Sequence, residues 1–179
     1  MRPLRLSFVI AVLLAFSSPS LAQSGVRLGS LGYGGTGCPE GTAAVRLSSD
    51  GKSVSLRFTR YAVSAGGGTG RSFDRKSCSI AIPMNVPAGK RVSIVSVELR
   101  GQTSLPPSAK LQFTVESFVP GGRGPVLTRA FTGPRSGNFV VPLKPRSAAW
   151  SNCGADVTLR SNSSLRVSTA KGRLASASV

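Results

Sequence analysis

Two glycine runs in this chain have the spacing that phosphate-binding loops use. Gly32, Gly34 and Gly37 in GYGGTG fit G-x-G-x-x-G, and the stretch from Ala65 to Ser72, AGGGTGRS, approaches a P-loop with Arg71 where lysine is required. Such glycines let the backbone close on a phosphate, but only between a buried strand and a helix whose N-terminus faces the anion. Here the segment before the first run, SGVRLGSL, is short and polar. Behind it, Cys38-Pro39-Glu40-Gly41-Thr42 leads into a strand-like AAVRLS. The second run enters Phe73-Asp74-Arg75-Lys76 without an apolar helical stripe. Both runs therefore read as turns whose glycines supply positive φ, and no nucleotide or other cofactor is expected.

The remaining inventory for catalysis is thin. The chain has no histidine, which removes Ser-His-acid and Cys-His nucleophilic arrangements, and no G-x-S-x-G elbow occurs. Its acids are Glu40, Asp50, Asp74, Glu98, Glu116 and Asp156. Two carboxylates suffice to hydrolyse a glycoside. However, Asp50 falls in an Asp-Gly turn, Glu98 and Glu116 take outward strand positions, and aromatic platforms are few (Tyr33, Tyr61, Trp150). No catalytic residue is assigned. Cys38, Cys78 and Cys153 match no short metal-ligand spacing, and without histidine the mixed zinc sites are excluded. In an oxidising compartment one bridge forms and one thiol is left over; spacing leaves all three pairings open.

The chain opens on a secretory leader: Arg2 and Arg5, an apolar core from Leu6 to Phe16, and small residues at Ser20 and Ala22 for cleavage. Cleavage after Ala22 leaves 179 − 22 = 157 residues with 21 lysines and arginines against six acids, a formal charge of 21 − 6 = +15. This excess either serves solubility or attracts anionic partners: acidic polysaccharide, lipopolysaccharide, membrane headgroups or, non-specifically, nucleic acid. The basic residues are spread along the chain rather than clustered, so no single stretch reads as a docking motif.

The elements that must position these residues are strands. Apolar residues alternate with polar ones at Val54/Leu56/Phe58, Val95/Val97/Leu99, Leu111/Phe113/Val115, Val157/Leu159 and Leu165/Val167. Turn clusters separate them at Asp50-Gly51, Ala65–Gly70, Pro87–Gly89, Pro106-Pro107, Pro120–Gly124 and Gly133-Pro134. This pattern predicts an all-β chain forming one antiparallel β-sandwich over 37–179, Greek-key or jelly-roll-like, behind a glycine-rich segment at 23–36. Arg46, Arg57 and Arg166 each sit between aliphatic neighbours and so face outward, either as part of one basic face or scattered over several sheets.

The ordered set Gly37-Cys38-Pro39-Glu40-Gly41-Thr42, Arg75-Lys76-Ser77-Cys78, Leu99-Arg100-Gly101, Phe131-Thr132-Gly133-Pro134, Trp150-Ser151-Asn152-Cys153-Gly154 and Asn162-Ser163-Ser164-Leu165-Arg166-Val167 resembles a secreted family of bacteria and fungi, domain-of-unknown-function family 4360. The resemblance implies an exported, disulfide-containing β domain and supplies no catalytic residues. Its members typically continue to a fourth cysteine, whereas this chain stops at Ala175-Ser176-Ala177-Ser178-Val179. If the absent cysteine is the partner of Cys78, the resemblance implies a Cys38–Cys153 bridge between the glycine loop and the Trp150 loop. It also implies an open sheet edge near the C-terminus. The leading expectation is a non-enzymatic module that binds an anionic surface or polymer through Arg46, Arg57, Arg75, Lys76, Arg100, Arg129, Arg160 and Arg166. The alternatives are a polysaccharide hydrolase using a carboxylate pair and a structural envelope or matrix component.

Overall fold

A computed structural model describes residues 25–120, 124–144, 150–170 and 172–179; the leader and its cleavage site lie outside them. The described chain is a β-sandwich with a three-residue 3-10 turn at Gly67–Thr69. One sheet places β6 (Phe73–Asn85), β11 (Val157–Ser168), β8 (Lys110–Phe118) and β9 (Val126–Thr132) side by side. Both β1 (Arg27–Leu28) and β2 (Gly32–Gly34) pair with the free side of β6. The second sheet runs β10 (Arg135–Leu143), β7 (Val97–Leu105), β12 (Ala175–Ser178) and β5 (Ala62–Ala65). A separate hairpin joins β3 (Ala43–Leu47) to β4 (Val54–Phe58). Every named pairing is antiparallel.

Alternation builds the core. Cys78, Ile80, Ile82 and Met84 of β6 and Leu111, Phe113 and Val115 of β8 face inward with Leu165 and Val167 of β11. From the other side come Val63, Ala65, Leu99, Leu105, Phe139, Val141 and Leu143, all buried. Each buried Val, Leu, Ile, Met or Phe among them contributes about 1.5–3 kcal/mol through removal of apolar surface from water. The hairpin turn is closed by Gly51 at φ 68° and by the Asp50 carboxylate, which accepts from Ser48 Oγ and the Lys52 amide. The Ser48 hydrogen bond holds the Asp50 carboxyl below its ordinary pKa.

The glycine run follows the same logic. Gly32–Gly34 is β2, and the chain then turns so that the Gly37 amide donates to Ser77 O at 2.8 Å and Ser77 N donates to Thr36 Oγ1 at 3.1 Å. Gly37 lies against the Tyr61 ring, where any Cβ would overlap it. The run is a close-packed turn, with no helix behind it. The Gly66 turn likewise packs against the Arg173 carbonyl.

Four expectations are corrected. The bridge is Cys38–Cys78, with Cα atoms 5.5 Å apart, because hydrogen bonding of the glycine loop along β6 sets Cys38 directly against Cys78. Cys153 is an exposed free thiol. The 23–36 segment is part of the sandwich, since β1 and β2 both pair with β6. The C-terminal residues leave no open edge of their own: β12 is paired on both sides, with β7 and β5. Val95 falls outside the strand; pairing with β10 begins at Val97, and Val95 is 67% exposed.

Candidate functional site

In an antiparallel pair, directly opposite residues share a face, so the register assigns each basic side chain. Arg75 on β6 stands opposite Arg166 on β11, and Lys110 on β8 stands opposite Ser168. Arg160 stands opposite Ala81 and Phe118, and Arg27 opposite Asn85. All five cations alternate with core residues and are exposed on the outer face of the six-stranded sheet. Glu116, opposite Asn162, is the acid that β8 carries there. Like charges directly across a strand pair are destabilising by some tenths of a kcal/mol up to about 1. Among the described residues neither Arg75 nor Arg166 has a carboxylate partner; the ion pairs are Arg71–Asp74 and Arg100–Glu98.

The other sequence-derived candidates go elsewhere. Arg46 and Arg57 lie on the outer side of the hairpin, opposite Ser55 and Ala44. Arg100 is on the outer face of the second sheet, where its Nε donates to Glu98. Lys76 is corrected: it stands opposite fully buried Leu165 on the core side of β6, half-buried, because it neighbours outward Arg75 in a strand. Arg129 also belongs to the core-facing parity, opposite Phe113, at the edge strand β9. Its guanidinium lies 5.6 Å from the Phe131 ring centroid, and that of Arg135 from the other sheet lies 4.8 Å from it. These two cap an aromatic ring at the sandwich margin. The six-stranded face thus gathers Arg75, Arg160 and Arg166 of the expected set and leaves Arg46, Arg57, Lys76, Arg100 and Arg129 apart.

At the Arg75–Arg166 end of that face, a hollow of about 370 Å³ is lined by Ser72, Phe73, Ser108, Lys110, Arg166, Ser168 and Thr169. Phe73 is 42% exposed, and the Arg166 guanidinium covers one face of its ring at 4.7 Å. Ser108 is the one non-glycine residue at positive φ (67°) among the described residues. It occupies the third position of a turn closed by Ala109 N donating to Pro106 O at 3.1 Å, a position that favours glycine or asparagine. Serine there costs about 1 kcal/mol. Thr169 is buried, its amide donates to Ser72 O at 3.0 Å, and its Oγ1 has no hydrogen-bond partner. A buried hydroxyl left unsatisfied costs roughly 1–3 kcal/mol. Phe73, Lys110, Ser108 and Thr169 were not singled out from sequence. The available signals were an aromatic entering a strand beside Arg75 and a Pro-Pro turn ahead of Lys110.

A second hollow, of about 580 Å³, lies on the outer face of the four-stranded sheet. Gln102, Ser104, Ser136, Asn138, Ser176 and Ser178 line it without a charged side chain. The acids are dispersed. Glu116 and Glu98 are on outer faces of different sheets, and Asp50 is in the hairpin turn. Asp74 is buried and accepts from Ser64 N, and Asp156 accepts from Asn85. Among the described residues no group of histidine, cysteine and acids could hold a metal ion, and no helix is long and apolar enough to cross a membrane.

Comparison with known proteins agrees with this architecture. Residues 24–179 match the family described as a domain of unknown function, DUF4360. The chain is also 30% identical over 145 residues to an uncharacterized secreted protein of Arthroderma benhamiae. That match covers 79% of this chain and 59% of the relative, so the chain spans less than two thirds of the relative's length. The leader-like N-terminus and the disulfide accord with export. This secreted, all-β chain belongs to the DUF4360 family.

Proposed function

We propose that this protein is an exported, non-enzymatic module that binds an anionic extracellular polymer through the outer face of its six-stranded sheet. The observation that carries this reading is the direct opposition of Arg75 and Arg166 without a carboxylate partner, with Lys110 diagonal to Arg166 and Arg160 further along the same face. Two unneutralised guanidinium groups across one strand pair repel each other until an anion bridges them. A polyanion laid along β11 meets Arg166 and Arg160 six residues apart, roughly 20 Å at a strand's rise of about 3.3 Å per residue. That spacing suits an extended polymer better than a small ion.

The test is retention of the mature protein on immobilised polygalacturonate and on heparin across a salt gradient. Elution is expected to move to lower salt in the double variant Arg75→Ala/Arg166→Ala. The slope of log affinity against log salt is expected to fall by roughly two contacts. Retention that ignores salt, or a double variant that elutes with the wild type, would remove this face from the function.

A further inference from the structure

The hollow beside Phe73 has features that general attraction to polyanions does not require. We infer that it is a subsite for one carboxylated sugar residue, a uronate, of the bound polymer; the inference rests on the polymer-binding reading above. Lys110 and Arg166 are diagonal neighbours on adjacent strands, at positions whose side chains come within reach of a common ligand. Together they can hold one carboxylate, with the guanidinium offering paired N–H donors. The hydroxyls of Ser108 and Ser168 line the same hollow and suit the hydroxyls of a sugar ring. Phe73 leaves part of its ring exposed, an apolar surface for a sugar's C–H face, while Arg166 occupies another part.

A backbone feature also marks the place. Ser108, at the rim, keeps a backbone conformation that glycine would hold more easily, and such outliers concentrate at ligand clamps.

The experiment titrates the mature protein with trigalacturonate, its fully methyl-esterified form, a sulfated heparin trisaccharide and a short oligothymidylate, read by calorimetry and by NMR shifts. Trigalacturonate is expected to bind at least about tenfold more tightly than the ester, the scale of one charge-assisted contact. Shifts are expected to centre on Phe73, Ser108 and Lys110. Phe73→Ala and Lys110→Met are each expected to weaken the trisaccharide about tenfold. Arg160→Ala is expected to leave the trisaccharide unchanged while lowering retention of the long polymer. Equal binding of acid and ester, tighter binding of the sulfated sugar or the oligonucleotide, or an unaffected Phe73→Ala would overturn the subsite. If the wild type stays on polygalacturonate through those results, only this inference fails; if the wild type is not retained at all, the polymer-binding reading fails first.

Discussion

The two outer faces of the sandwich come from the same alternation of strand residues and carry opposite chemistry. The six-stranded face presents Arg27, Arg75, Lys110, Arg160 and Arg166 with Glu116 among them. The four-stranded face presents Gln102, Ser104, Ser136, Asn138, Ser176 and Ser178, and its charges Arg100 and Glu98 neutralise each other. A formal charge of +17 over the whole chain could have coated both faces evenly if solubility were its main role. Between these two faces the strand-borne charge is unequal: an unpaired cross-strand arginine couple lies on one, hydroxyl and amide groups on the other. A local imbalance of this kind is what steers a charged molecule toward one surface in preference to another.

The largest effect expected from breaking this asymmetry is on the fold beneath the basic face. The Cys38–Cys78 bridge closes a 40-residue separation and ties the glycine loop to β6, the strand that carries Arg75. Chain-entropy reasoning puts its contribution at about 4 kcal/mol, with native strain free to lower it toward 2. Cys38→Ser/Cys78→Ser is expected to lose about 2–4 kcal/mol in urea unfolding. Amide exchange should rise first in β2 and the adjoining edge of β6, while β7 and β12 keep their protection. Uniform loss of protection across both sheets would show that the bridge does not act locally on the basic face.

A smaller effect, and a sharper test, comes from moving charge at constant total. Asn138 and Gln102 are direct cross-strand partners on the neutral face, the geometric counterpart of Arg75 and Arg166. Arg75→Gln/Arg166→Gln is expected to cost about 2 kcal/mol of affinity for an anionic polymer, at about 1 kcal/mol per basic residue. Adding Gln102→Arg/Asn138→Arg restores the net charge and is expected not to restore elution on polygalacturonate. Recovery of the wild-type salt midpoint would mean that total charge, rather than its placement, governs binding.

Much of this asymmetry was within reach of the sequence, and the part that was not has a definite cause. Alternation placed Leu111, Phe113 and Val115 inward and Arg166 outward, as found. It also contained the correction to Lys76: adjacent residues of one strand cannot share a face, so Arg75 and Lys76 could never serve one surface. Alternation is silent about which strands become neighbours. Arg75 meets Arg166, and Cys38 meets Cys78 rather than Cys153, through pairing between segments far apart in the chain. Ser108 stayed hidden because the residue that usually advertises a positive φ in such a turn is glycine or asparagine. Thr169 stayed hidden because an unpartnered hydroxyl is a property of surroundings, not of composition.

The smallest effect concerns the joint that holds the two faces back to back. Tyr61 leads into β5 of the neutral sheet, accepts from Val179 N through its carbonyl at 3.0 Å, and shares a 3.1 Å hydrogen bond between its hydroxyl and that of Ser163 on β11. Burial raises its pKa above the ordinary 10.0, and the Ser163 hydrogen bond and the Arg75 charge offset part of that shift. The folded chain therefore holds this proton more tightly than the unfolded chain. The contribution is complete below pH 10.0 and is lost as pH climbs through the raised folded value. Tyr61→Phe is expected to cost about 1 kcal/mol at neutral pH, one net hydrogen bond, and to flatten the decline in unfolding free energy above pH 10.0. A variant whose stability still falls with the wild-type slope over that range would place the alkaline sensitivity elsewhere and leave Tyr61 as packing alone.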